Sequence, residues 1–324
     1  MQIFDSPDAV RKALGPTVAT IGKYDGMHLG HQSILREVRA RAAACGLPTL
    51  VILSEPHPEE YFSPQTAPPR LNHFRDKVDF LANTGIDAVL RLQFDESVSS
   101  CPAERFVSEF LVAQLGVQVL IVGDDFRFGQ GRAGDYAMLK ALSVGHGFAV
   151  SSVPPCSSGT ERVSSTLVRN YLAEGKCADV TRLLGRPYSI GGTIVRGRQL
   201  GRQLGVPTAN VTLSGTSLPT SGVFAVHVEC AGQWYEGVAN LGVKPTVDAE
   251  PRPSLEVHLF DFSDNIYGEY MRVHFLEKLR AERKFDSLQA LQEQIVRDQE
   301  TARRVLADFS LPAHDVVAPQ EHRP

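Results

Sequence analysis

The first half of the chain alternates short apolar runs with longer helical patterns. Thr17–Ile21, Thr49–Leu53, Ala88–Phe94, Val117–Val122 and Phe148–Val153 are rich in Val, Ile and Leu. They lack polar alternation, as strands buried on both faces of a parallel sheet do. Between them, His31–Ala44, Phe74–Asn83, Ala103–Leu115 and Gly134–Val144 carry helical spacing. Strand–helix alternation predicts a doubly wound α/β domain whose ligands sit at the carboxyl ends of the strands.

After a helical stretch near Ser165–Leu184 the texture changes. From Gly185 onward Gly and Pro recur between short alternating segments: Tyr188–Val195, Gly222–Glu229, Trp234–Asn240, Ser254–Phe260 and Arg272–Phe275. Closely spaced strands of this kind predict a small antiparallel β-barrel. A final helix fits Ser287–Ala307, with Asp286 and Gln289 as a capping pair. The seam is expected near Gly185, giving a first domain over 1–185, a second over 186–310 and a loose polar tail over 311–324. Gly197-Arg198-Gln199-Leu200 recurs at once as Gly201-Arg202-Gln203-Leu204, too short a repeat for a solenoid and read as loop.

Composition narrows the range of tasks. A chain of 324 residues, 43% hydrophobic and 22% charged, is an ordinary globular protein of about two domains. Lys+Arg 33 against Asp+Glu 37 leaves a net charge of −4. That balance argues against nucleic acid or an anionic membrane as the main partner. Small-molecule substrates remain, with at most a weak homo-oligomer. Five dispersed cysteines without a C-x-x-C pair predict a reducing compartment with neither a disulfide framework nor a zinc site. Asp5 and Asp8 stand where a signal peptide would be basic and then apolar, and no apolar run approaches the roughly 18 residues of a membrane span. A cytoplasmic protein is expected.

The sharpest local signal is Gly22-Lys23-Tyr24-Asp25-Gly26-Met27-His28-Leu29-Gly30-His31, an H-x-G-H sequence between a buried strand and a helix. Glycines there let the backbone approach a ligand, and the helix N-terminus favours an anion. Two imidazoles three residues apart can donate to phosphate oxygens, which suits nucleotidyl transfer. The plain alternative is a pair of surface histidines after a turn. Ser164-Ser165-Thr166 with Arg169 joins a hydroxyl cluster to a cation at another helix start, suited to holding pyrophosphate; alone it would be an N-cap with a solvated Arg. Asp125-Phe126-Arg127-Phe128 follows the fourth strand and can line a planar ligand, unless the two aromatics are simply core. His57, in Glu55-Pro56-His57-Pro58, follows the second strand and is loop or ligand contact on equal terms.

In the second half, Gly197, Gly201 and Arg202 belong to a Gly- and Arg-rich loop that runs into Pro207-Thr208-Ala209-Asn210. Such a loop can wrap polyphosphate, with Thr208 and Asn210 offering oxygens to Mg²⁺ or to the nucleotide. A solvated hairpin turn is the bland alternative. Leu255, Val257 and Leu259 alternate toward a core, which leaves Glu256, His258 and Phe260 on the other face. A carboxylate there can take the proton of an attacking hydroxyl.

With these stretches in order, the chain resembles the bacterial bifunctional riboflavin kinase/FMN adenylyltransferase (FAD synthetase) family from about Thr17 to Arg304. The motifs that carry the resemblance are IGKYDGMHLGH, EPHP, VGDDFRFGQGRAGD, VSSTLVR, LLGRPY, GRQLGVPTAN, LPTSGVF, LEVHLFDF and LRAERKF. It implies a Rossmann-like nucleotidyltransferase domain followed by a six-stranded riboflavin kinase barrel with a trailing helix. By that resemblance His28, His31 and Arg169 serve adenylyl transfer, and Gly22, Asp25, Gly30, His57, Asp125, Phe126, Arg127, Ser164, Ser165 and Thr166 lie at its ATP- or flavin-binding positions. Glu256 matches the kinase base, Thr208 and Asn210 its Mg-ATP residues, and Gly197, Gly201, Arg202, Pro207 and Arg280 its further nucleotide-binding positions. The implied substrates are ATP, riboflavin and FMN, with Mg²⁺ as cofactor and FAD as final product. Lys23-Tyr24, Leu53-Ser54 and Ser99-Ser100-Cys101 depart from the commoner residues of the first domain, and Lys244 from the Arg usual in the second. A kinase with an impaired adenylyltransferase half and a non-catalytic flavin- or nucleotide-binding regulator are the alternatives.

Overall fold

The computed structural model describes residues 1–197, 205–213, 217–244 and 252–311. Gly201, Arg202, the second copy of the short repeat and the expected tail from 312 on lie outside them. The chain divides into two compact units, Met1–Ser165 and Thr166–Pro324.

The first unit is built on a six-stranded parallel sheet in the order β1-β4-β3-β2-β5-β6. Its strands are β1 (Gln2–Phe4), β2 (Thr17–Gly22), β3 (Thr49–Glu55), β4 (Ala88–Gln93), β5 (Val117–Gly123) and β6 (Ala149–Val153). Alternate residues of one strand feed two cores. Leu50 and Ile52 face one with Phe106, Leu111 and Leu139, while Val51 and Leu53 face the other with Leu35, Val38 and Leu81. Burial on both faces explains the missing polar alternation. Helices α1 (Pro7–Leu14), α2 (Leu29–Cys45), α3 (Pro58–Phe62), α4 (Phe74–Ala82), α5 (Glu96–Ser99), α6 (Ala103–Arg105) and α7 (Tyr136–His146) lie along the connections, and α6 continues as a π-helix over Phe106–Gln114. β1 was not among the expected strands. It is a three-residue edge strand without an apolar run, held by its pairing with β4. The chain order reverses at β2, which has β3 on one side and β5 on the other. In open α/β sheets the ligand crevice opens at such a point, beyond the carboxyl ends of the strands.

The expected single helical stretch over Ser165–Leu184 is two helices, α8 (Ser165–Glu174) and α9 (Cys177–Leu184). Gly175, at φ 76°, breaks it, in a conformation that costs glycine little.

The second unit holds a closed barrel in the order β10-β13-β12-β11-β14-β9, with antiparallel neighbours throughout. Five strands answer the five predicted segments: β9 (Tyr188–Val195), β11 (Gly222–Cys230), β12 (Gln233–Lys244), β13 (Arg252–Leu259) and β14 (Tyr270–Arg280). The sixth, β10 (Ala209–Val211), reads in sequence as the end of a loop. Its three residues pair with β9 and β13 and close the barrel. Phe224, Phe275 and Tyr188 pack inside, with Phe224 edge-on to Phe275 at 5.1 Å between ring centroids.

Helix α10 (Leu288–Leu306) packs Ala302 and Leu306 onto Ala225, Phe260 and Leu276. Phe260 is therefore buried, although its strand face is not the barrel interior. The cap of α10 also differs from the Asp286–Gln289 pair. Ser287 is the N-cap, its Oγ accepting from the Ala290 N–H at 3.1 Å, the stronger local geometry because the acceptor sits one turn below the free amide. No helix among the described residues is long and apolar enough to cross a membrane.

Trp234, the only tryptophan, sits on β12 and reports on the barrel. Phe275→Ala removes a ring that is 1% exposed at the barrel centre. The barrel transition followed by Trp234 fluorescence in urea should lose about 3–5 kcal/mol. A loss below about 1 kcal/mol would show that the ring is not a core contact.

Candidate active sites

The H-x-G-H turn leaves the carboxyl end of β2 and becomes the first turn of α2. His28 is the N-cap, in extended backbone, and its Nδ1 accepts the His31 N–H at 3.3 Å. The two imidazoles stack, centroids 3.7 Å apart and planes at 16°. Gly30 leaves room for this pair, since a Cβ at that position would stand 3.1 Å from the His28 ring. Tyr24 lies under the pair, its ring 4.9 Å from that of His31 and its hydroxyl bonded to Thr20 Oγ1 at 2.7 Å. Burial pushes the His28 imidazole down to about 4 and holds His31 well below its ordinary value, where the charges of His28, Lys77 and Lys23 add to the effect. Both rings are neutral at pH 7. With Nδ1 of His28 acting as acceptor, its proton sits on Nε2, which makes that nitrogen a donor. His31 Nδ1 is buried with no hydrogen-bond partner among the described residues.

A cavity of about 750 Å³ opens beside this turn. Gly22 and Lys23 form one side, Asp125, Phe126 and Arg127 another, and Pro58 to Pro68 contribute a third. Phe126 and Phe128 stack at 5.7 Å, and Phe128 is core while Phe126 is only partly buried, so both readings of that pair hold in part. Arg162, from the small hairpin β7 (Ser157–Ser158) and β8 (Glu161–Arg162), bridges Asp124 at 3.0 Å and Asp125 at 2.9 Å. Arg127 pairs with Asp135 at 2.9 Å and Lys23 with Glu59 at 2.5 Å, so cations ring the opening in exposed ion pairs that a polyanion can compete for.

The remaining first-unit residues have partners inside the protein. Asp25 is 1% exposed, and its Oδ1 accepts the Leu71 and Asn72 N–H groups at 3.0 Å each. Ser165 Oγ donates to the Asp25 carbonyl at 2.8 Å, which brings the second hydroxyl motif onto the H-x-G-H turn. Ser164 precedes it, half-buried. His57 is 5% exposed, with Nε2 2.7 Å from Lys77 Nζ. Thr166 and Arg169 lie on α8 beyond Ser165, in the second unit.

In the barrel, Glu256 stands opposite Asn210 of β10 on one side and Asn240 of β12 on the other. One row across three strands therefore carries a carboxylate between two amides. Thr208, Asn240, Glu256 and Arg280 line a cavity of about 400 Å³ that α10 helps to wall through Leu291 and Ile295. His258 Nδ1 donates to the Pro207 carbonyl at 2.8 Å, tying the Pro-Thr-Ala-Asn segment to β13. A Cβ on Gly197 would meet the Asn210 amide at 2.2 Å, so this glycine makes room for Asn210. Arg280 lines the cavity but spends its guanidinium on the 6%-exposed Asp298, with contacts of 2.8–3.1 Å, and on the Ala281 carbonyl. Its first contribution is to clamp α10 to β14.

Known proteins carry the same two blocks. A family model described as FAD synthetase matches residues 10–167, and one described as riboflavin kinase matches 184–306. A bifunctional riboflavin kinase/FMN adenylyltransferase of Pseudomonas fluorescens is 46% identical over 290 residues, covering 90% of this chain and 93% of its own. The chain belongs to the bifunctional riboflavin kinase/FMN adenylyltransferase family. The relative of that description from Escherichia coli K12 is 44% identical over 287 residues, covering 88% and 91%. A crystal structure described as a macrolide-efflux protein from Streptococcus pneumoniae matches with a TM-score of 0.77 at 28% identity, covering 93% of this chain and 98% of that one.

Arg70 and Lys77, both bonded to Glu55 at the end of β3, and Asn240, which lines the barrel cavity, stand at these sites without being among the expected residues. Lys77 carried a usable signal. It precedes the buried Leu81 by four residues, so it shares the buried face of α4, where a lysine needs a partner. Arg70 carried none, since its irregular segment has no period to be out of step with.

The depressed imidazole has a pH consequence. The unfolded chain takes up a proton at His28 near 6.5 and the folded chain only near 4, so this contribution to stability is complete above 6.5 and is lost as pH falls toward 4. His28→Asn keeps a capping acceptor but cannot titrate. Between pH 7 and 5 the wild type should lose about 2 kcal/mol more stability than this variant in denaturant titrations. Parallel pH profiles for the two would mean that His28 is not held neutral by burial.

Proposed function

We propose that the chain makes FAD in two steps: the barrel unit phosphorylates riboflavin with ATP, and the sheet unit adenylylates the resulting FMN. The observation that carries this reading is that each family match falls on a unit with a cavity of its own: Glu256 lines the one in the barrel, and the one in the sheet unit starts at Gly22 and Lys23, in the turn that leads on to His28. On this reading 1–185 is the adenylyltransferase and 186–310 the kinase, in a cytoplasmic enzyme.

In the kinase step Glu256 takes the proton of the riboflavin 5′-hydroxyl as that oxygen attacks the γ-phosphorus of ATP and ADP leaves. Thr208, which lines the cavity, and Asn210, beside Glu256 in the strand row, would hold the nucleotide. Their hydroxyl and amide oxygens are hard donors that suit Mg²⁺, and no group of three His, Cys, Asp or Glu that could hold a metal is present among the described residues. The two residues would thus hold an ion that relies on phosphate and water for its other ligands. When bound, Mg²⁺ supplies positive charge to the phosphate oxygens.

In the adenylyl step an FMN phosphate oxygen attacks the α-phosphorus of ATP and pyrophosphate leaves. The nucleophile is already an anion and needs no base. His28 Nε2–H and the first-turn amides of α2 donate to the α-phosphate oxygens as charge builds there. Ser165, bonded to the Asp25 carbonyl, ties the second hydroxyl motif to this turn and brings Ser164 beside it.

Incubation of the purified chain with riboflavin, ATP and Mg²⁺ should give FMN first and FAD later by chromatography. Glu256→Gln should lower FMN formation at least 100-fold and leave FMN-to-FAD conversion within twofold. Accumulation of FMN without FAD would remove the adenylyltransferase assignment, and loss of both activities in Glu256→Gln would refute the division of labour.

A further inference from the structure

Beneath the first cavity lies a charged cluster that the two reactions do not use. Lys77 is fully buried, its side chain 0% exposed. Its Nζ donates to Glu55 Oε1 at 2.9 Å and to His57 Nε2 at 2.7 Å. Arg70 bonds the other Glu55 oxygen at 2.6 Å and grips both oxygens of Glu60. Glu60 in turn accepts the His57 backbone N–H at 2.9 Å. Two cations and two carboxylates thus form a closed chain at the carboxyl end of β3, with no net charge.

The cluster encloses a specific piece of the molecule. Pro58, Glu59, Phe62, Ser63, Thr66 and Pro68, which form one wall of the cavity, all lie between His57 and Arg70. Lys77 pins the start of that wall through His57. Arg70 pins its end to the strand through Glu55 and to α3 through Glu60. Just beyond, Asp25 of the H-x-G-H turn fixes the Leu71 and Asn72 amides. None of Asp25, Glu55, His57, Glu60, Arg70 or Lys77 lines the cavity. The wall is short on regular structure, since α3 is five residues long and 63–73 form no helix or strand. Its position therefore depends on these side chains.

Stability alone does not account for the cluster. Buried ion pairs replaced by apolar side chains of like volume often leave a protein equally stable. What well-packed apolar residues do not supply is direction, and a bidentate Arg–carboxylate pair fixes both distance and plane. We propose that Lys77 and Arg70 are positioning residues that hold the 58–68 wall against the cavity in which the adenylyl acceptor is seated, and so set the affinity for FMN without touching it. This rests on the adenylyltransferase reading of the first unit.

The test combines kinetics with hydrogen exchange on the full-length protein. Lys77→Met and Arg70→Lys should each raise KM for FMN about tenfold in FAD formation, with kcat within threefold. Riboflavin kinase activity should stay within twofold. Amides of 58–72 should exchange at least tenfold faster, while those of β2 and β5 keep their protection. Lys77→Arg, which preserves the cation, should recover part of the lost affinity. An unchanged KM, a fall in kcat alone, or unchanged exchange of the wall would overturn the proposal. If the unaltered protein forms no FAD, the functional reading fails, and the exchange arm still decides whether the cluster holds the wall. Global loss of protection in Lys77→Met would be a structural effect, in which case Arg70→Lys, which keeps the charge and gives up only the fork, decides.

Discussion

Burial of the central strands on both faces is the constraint from which the first unit follows. Leu50, Val51, Ile52 and Leu53 have no exposed surface, so their backbone groups must pair within the sheet and their side chains can carry no chemistry. In β3 the polar residues Thr49, Ser54 and Glu55 stand at its two ends. The parallel direction puts all the carboxyl ends on one edge, and the reversal of strand order at β2 parts the connections there. The H-x-G-H turn after β2, the Glu55–His57 segment after β3 and the Asp124–Phe128 turn after β5 meet because the sheet leaves them no other place.

The barrel solves the same problem differently. Its interior takes one face of each strand, and the other face is free for chemistry wherever α10 does not cover it. Glu256 alternates with Leu255 and Val257 and so must point away from the interior. Register then does the rest, setting it between Asn210 and Asn240. A slip of one residue in β10 would turn Asn210 inward and place Val211 or Ala209 in the row instead. Three-residue β10 is thus small but decisive, and the His258–Pro207 bond and the space left by Gly197 both act on its approach.

Much of this was legible in the sequence. The buried strands announce themselves through runs rich in Val, Ile and Leu, and the histidine turn through its coincidence of strand, glycines and imidazoles. What was not legible shares one physical origin. β1, β10 and the Arg70 segment owe their structure to partners distant along the chain, and leave no period or cap of their own. Long-range contacts also give several of the expected residues partners inside the protein. Asp25 bonds the Leu71 amide, His57 bonds Lys77, Gly30 lies against the His28 ring and Arg280 grips Asp298, although each sits in a motif that suggests direct ligand contact. Spacing reveals which residues are gathered at a site, but not which of them face inward to the protein.

On the proposed reading the two sites need opposite groups, for a chemical reason. A riboflavin hydroxyl must lose a proton to become a nucleophile, so its site needs an acceptor, and a carboxylate at the cavity supplies one. An FMN phosphate has already lost its proton. Its site needs donors that stay in place while charge builds on the α-phosphate, and a neutral imidazole with Nδ1 fixed by the His31 amide is such a donor. Were His28 protonated, both nitrogens would be donors, and the Nδ1 acceptor that caps α2 and orients the ring would be lost. Burial that keeps the ring neutral therefore preserves the cap, and the cap preserves the direction of the Nε2–H.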